Sequence, residues 1–145
     1  VGLQTTALNT MKKLNKKSAE VFNKILKLLG TQEALKIDNN PSFMYLCIDR
    51  LMTDVEILKG VKFDVYSLAH YYEQNGDLVC DPDMEFAVCK SDPMFIYPMS
   101  FQNSIACRQS IVEVDGVWKV NVREQADEAV FANLWLENIK HQQGL

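Results

Sequence analysis

The chain has 145 residues, 48% of them hydrophobic and 23% charged, with a net charge of −4. That length suits a single domain that buries roughly 70% of its unfolded surface without disulfide or metal staples. No apolar run approaches the ~18 residues of a membrane-spanning helix, and Lys16, Lys17, Glu20, Lys24 and Lys27 interrupt any signal-peptide core.

Charge is unevenly spread. Residues 1–36 hold seven lysines against Glu20 and Glu33, while residues 37–145 hold eight Lys/Arg against seventeen Asp/Glu. Such asymmetry marks a basic arm, an acidic binding face, or two segments that attract each other in the fold. Cys47, Cys80, Cys89 and Cys107 show no zinc-like spacing and lie in strand-like apolar runs. Free buried thiols fit a reducing, cytoplasmic setting.

Residues 1–10, VGLQTTALNT, read as a disordered or added leader, because MKKLNKKSAEVF from Met11 resembles a natural bacterial start. The domain is then 11–145. Over residues 10–29, Leu14, Val21, Phe22, Ile25, Leu28 and Leu29 fall near one stripe, with lysines opposite. This predicts an amphipathic helix, stopped by Gly30. Its lysines allow nucleic-acid binding. The basic face has no arginine and no aromatic, which favours a helix packed on a sheet with its lysines in water.

Thr31–Leu35 is expected to add a further helical turn, and Asn39-Asn40-Pro41 a loop. Ser42–Arg50 alternates, with Met44, Leu46 and Ile48 on one face and Phe43, Tyr45, Cys47 and Asp49 on the other. It is the first expected strand. Residues 51–58 read as strand or short helix.

Asn75-Gly76 then sits between two runs of β-branched and aromatic residues, the strongest short-range hairpin signal. A two-residue turn fixes the register. Tyr72 should face Val79, Tyr71 Cys80, His70 Asp81, Val65 Phe86, and Phe63 Val88. Alternation then gathers Phe63, Val65, Ala69, Tyr71, Cys80, Met84, Phe86 and Val88 on a core face. The other face collects Asp64, Tyr66, His70, Tyr72, Asp77, Asp81, Asp83 and Glu85, with Leu68 and Val79 among them. Pro82 lacks an N–H and fits only an edge or a bulge.

Ser91-Asp92-Pro93 is the next break, and Met94–Tyr97 a short strand. Residues 105–114 read as one strand, joined by an Asp115-Gly116 turn to Val117–Val122. That turn pairs Ile111 with Val120 and Glu113 with Trp118. The last element, from about Glu124 to His141, is helical, with Val130, Phe131, Leu134, Trp135 and Ile139 on its apolar side. Its early acids and late bases suit the helix dipole. The order predicts an α+β fold: one antiparallel sheet of about six strands, with both helices on one face.

The candidate binding face is Tyr66, His70, Tyr72, Asn75, Asp77, Asp81, Asp83 and Glu85. Its acids and rings suit docking of a protein partner. The alternative is a hard-cation site formed by His70, Asp81, Asp83 and Glu85, serving phosphodiester chemistry. No Lys or Arg lies between Lys62 and Lys90 to meet developing charge, which counts against it. A plain solvated outer face explains the same pattern. There is no phosphate loop, nucleophile elbow or metalloprotease motif, and no cofactor is implied. A Cys80–His70 dyad is disfavoured because the register puts the two on opposite faces. Exposed sheet edges would also suit a homodimer.

FMYLCIDRL, SLAHYYEQNGDLVCDPDMEF and YPMSFQNS, within residues 43 to about 101, resemble an uncharacterised domain family of bacterial plasmids, integrative conjugative elements and phages. HYYEQNGDLVCDPDMEF is the most specific of these matches. The resemblance implies a cytoplasmic mobile-element protein and brings no catalytic residue with it.

Overall fold

The computed structural model describes residues 10–145. Apart from Thr10, the leader expected at 1–10 lies outside those residues. The fold is α+β. Helix α1 (Lys16–Leu29) precedes nine strands: β1 (Ala34–Ile37), β2 (Leu46–Leu58), β3 (Val61–Gln74), β4 (Asp77–Cys89), β5 (Ile96–Pro98), β6 (Ser100–Gln102), β7 (Cys107–Gln109), β8 (Ile111–Val114) and β9 (Val117–Val120). Helix α2 (Val122–Gln143) closes the chain. The main sheet runs β1-β2-β3-β4-β6-β7, with β5 also on β4, while β8 and β9 form a separate hairpin. All pairings are antiparallel.

Each helix starts and stops on a residue suited to it. Asn15 caps α1 by accepting from the Ser18 N–H, and Asn121 caps α2 by accepting from the Glu124 N–H. Gly30 and Gly144 end the helices at positive φ, which glycine adopts without Cβ strain. The helices run side by side in one direction: Asn133 contacts α1's start through Asn15 and Ser18, and Leu145 lies beside Leu28.

Two cores lie against the sheet. The first joins Leu14, Phe22, Ile25, Trp135, Leu136 and Ile139 to Leu46, Ile48, Tyr66, Leu68, Met84, Phe86 and Val88. Phe22 anchors it, with ring centroids 4.9 Å from Phe86 and 6.3 Å from Tyr66. Burying a side chain of that size stabilises by roughly 1.5–3 kcal/mol. The second joins Phe63, Val65, Ala87 and Cys89 to Met11, Tyr97, Met99, Ile111 and Trp118. Phe63 and Val65 alternate with Tyr66 and Leu68 along β3, so the two cores occupy opposite faces of one sheet.

Polar residues on α2 bind segments far away in the sequence. Gln125 accepts from the Lys12 N–H at 2.6 Å and donates to the Lys12 and Pro98 carbonyls. Gln143 binds Asn39 and the Met44 carbonyl.

Several local expectations are corrected. Thr31–Leu35 adds no helical turn. Gly30 reverses the chain, and Ala34–Ile37 pairs with Leu46–Asp49 as an edge strand. Residues 51–58 are strand throughout. Residues 105–114 are two strands, because Ser110 is pinned between them: its N–H reaches the Met99 carbonyl, and its carbonyl receives the Asn121 N–H. On α2 the buried line is Gln125, Glu128, Ala129, Ala132, Trp135, Leu136, Ile139 and Gln143. Val130 and Leu134 are 64% and 62% exposed.

Candidate functional site: the uncovered half of one sheet face

The central turn forms at Asn75-Gly76, with φ of 53° and 82°. Tyr72 pairs with Val79 and Tyr71 with Cys80, as the turn dictates. The register then slips. A bulge between Ala69 and Tyr71 places Ala69 opposite Asp83, Leu68 opposite Met84, Tyr66 opposite Phe86, Val65 opposite Ala87 and Phe63 opposite Cys89. The extra residue is on β4, at Asp81-Pro82, where proline costs no ladder bond.

That slip divides the expected binding face. Tyr66 and His70 are 6% and 3% exposed and belong inside. The Tyr66 hydroxyl accepts from Arg50 at 3.0 Å. Asp83 and Glu85 share the opposite face with Ala69 and Ser67. Tyr72, Asn75 and Asp77 lie near the hairpin tip, and Asp81 is exposed. The His70, Asp81, Asp83 and Glu85 set is therefore not one cluster. Among the described residues no group of three or more His, Cys, Asp or Glu is placed to hold a metal ion.

What the slip does bring together is a polar surface on the face opposite Tyr66 and Leu68. Register places Asp49 beside Ser67 and Ser67 beside Glu85. It places Cys47 beside Ala69, then Asp83, then Gln102, then Cys107. Farther along the same face, Phe63, Val65, Ala87 and Cys89 form the second core beneath the β8–β9 hairpin. One face is thus apolar and covered at one end, polar and uncovered at the other.

Asp83 and Glu85 are half-buried there. The Asp83 carboxylate accepts from the Ser67 hydroxyl at 2.9 Å. Burial still pushes its pKa up, and the nearby Asp49 adds to the rise. Glu85 is raised in the same way by burial, with Ser100 opposing and Asp83 adding. Both lie in a shallow depression with Ser100, Gln102, Cys107 and Gln109. Tyr45 stacks on Tyr71 at 6.2 Å beside it, and the Lys36 ammonium lies 4.1 Å over the Tyr45 ring. Burial and the nearby Asp83 push the Cys80 thiol up, away from a reactive thiolate.

His70 and Glu128 are buried outside this surface. Burial lowers the His70 pKa, with Asp81 opposing, and Trp135 donates to its Nδ1. The neutral imidazole then carries its proton on Nε2. Glu128, 4% exposed, accepts from Ser110 at 2.6 Å. Sequence periodicity missed Glu128 because polar residues interrupt the buried line of α2. Its spacing to Gln125, Ala132 and Leu136 was the available signal.

Residues 11–145 match the family model of a domain of unknown function, DUF6908. The chain belongs to this family. No curated protein and no solved structure matches it. The family's description names no activity. Among the described residues no helix is long and apolar enough to cross a membrane.

Proposed function

We propose that this DUF6908 domain is a non-enzymatic accessory module that binds a protein partner through the uncovered half-face. The helices cover the other side of the sheet in this reading, and β8–β9 covers the rest of this one. The supporting observation is the change along a single face, from apolar and capped to polar and open. Asp49, Asp83 and Glu85 gather there with Lys36 at the margin, so the matching occupant is an extended basic segment of another protein. Tyr45 and Tyr71 supply flat contact surface. Four free thiols among the described residues support a reducing, cytoplasmic setting. The resemblance of the central stretch to plasmid, conjugative-element and phage domains supports a mobile-element role.

The test is a titration with a Lys/Arg-rich peptide, followed by backbone NMR. Shifts centred on Asp49, Ser67, Asp83, Glu85 and Gln102, abolished by Asp49→Lys, support the reading. No binding, or shifts confined to the helices, would sink it.

A further inference from the structure

Glu128 projects from α2 into the seam between that helix and the β6–β8 segment. Its side chain is 4% exposed, and Oε2 has no hydrogen-bond partner among the described residues. Oε1 has one, the Ser110 hydroxyl at 2.6 Å. The same hydroxyl lies 3.1 Å from the Met99 carbonyl. Ser110 has one hydroxyl proton and faces two acceptors.

The count of donors favours the neutral acid. An ionised carboxylate needs donors at both oxygens when it is buried. Here it would receive one, and only if Ser110 turned away from Met99. A neutral acid completes the chain instead. When Glu128 is protonated, its O–H can donate to the Ser110 hydroxyl in place of accepting from it, which frees the Ser110 proton for the Met99 carbonyl. The surrounding charges leave that balance in place. Glu124 and Asp127 on α2 oppose ionisation, and Arg108 on β7 favours it. Among the described residues Arg108 forms no ion pair.

We propose that Glu128, Ser110 and Met99 form a proton-dependent latch that seats the first half of α2 on the β6–β8 segment and loosens when Glu128 ionises. Burial, the largest cause, lifts the Glu128 pKa from 4.5 to about 7, which places the transition in the neutral range. The folded state then holds a proton that the unfolded chain has released. Stability from this group is full below the unfolded value and falls as pH rises toward 7.

The test compares the wild type with Glu128→Gln in denaturant unfolding from pH 5 to pH 8. The carboxamide keeps the shape and donates to Ser110 without ionising. Relative to the variant, the wild type should lose roughly 70-fold in its folding equilibrium constant across that range. Parallel pH profiles would overturn the proposal. If the variant does not fold, ¹³C NMR titration of the wild-type Glu128 carboxyl replaces it. A midpoint near 7 supports the latch, and a midpoint in the ordinary carboxylate range overturns it. Amide exchange supplies the conformational readout. Protection around Glu128 and Ser110, corrected for intrinsic rates, should fall between pH 6 and pH 8, and unchanged protection overturns the loosening.

Discussion

The indole N–H of Trp135 donates to Nδ1 of His70 across 3.1 Å, with the two rings edge to face. This contact fastens the middle of α2 to β3, at the place where the β3–β4 ladder slips. Trp135→Phe keeps most of the ring and removes the donor. It should cost about 1–3 kcal/mol, because a buried acceptor loses its partner. Equilibrium unfolding in urea measures that cost.

Acid should act on the same contact. The folded His70 pKa lies below its unfolded value, so the unfolded chain takes up a proton that the native state resists. Stability from this group is present at higher pH and declines as pH falls through the unfolded value near 6.5. His70→Gln should therefore flatten the decline between pH 7 and pH 5. A variant whose acid limb follows the wild type would remove His70 from the explanation.

On the uncovered face, Asp83 has the opposite sign. Its folded pKa is raised, so the native state favours the protonated form and stability falls as pH rises above the unfolded value of 3.8. Asp83→Asn should raise the thermal midpoint at pH 7, with the gain shrinking toward pH 4. The Ser67 hydroxyl can still donate to the carboxamide oxygen. A variant less stable than the wild type at pH 7 would show that Asp83 is favoured as the anion.

The apolar side chains of α2 divide sharply. Val130→Ser with Leu134→Gln should change stability by no more than about 0.5 kcal/mol per site, because both side chains already face water. Phe86→Ala, in the first core against Phe22, should cost about 3–5 kcal/mol. Chemical unfolding of the two variants side by side checks both.

Sequence patterning carried the two flanking helices, the Gly30 stop, both tight turns and the α+β class, and missed Gly144 and the short strands Ala34–Ile37 and Ser100–Gln102. The Asn75-Gly76 turn was legible because φ > 0 restricts which residues fit there. The face assignment was not, although Pro82 pointed to a bulge. Alternation carries a register forward indefinitely, and nothing local marks the residue at which a bulge resets it. Beyond that point Asp83 and Glu85 part from Tyr66 and His70. On α2 the failure has a different cause. Gln125, Glu128 and Gln143 are buried because their hydrogen bonds are made to distant segments, while Val130 and Leu134 are exposed. A hydropathy stripe cannot register partners that far away in the chain.

The slip at Asp81-Pro82 also sets what kinds of genetic change this strand can absorb. Substitutions at Asp83 or Glu85 alter one side chain on an open surface. Loss of one residue at the bulge itself removes the extra residue and keeps every later position of β4 in its present register. Loss of one residue beyond it, at Met84, would turn the rest of the strand over, carrying Phe86 to the polar face and Glu85 to the apolar one. Beyond the bulge, length is therefore held more strictly than identity, and in-frame deletions between Asp83 and Cys89 should be far scarcer among functional variants than point changes, while the bulge itself can lose a residue without resetting the strand.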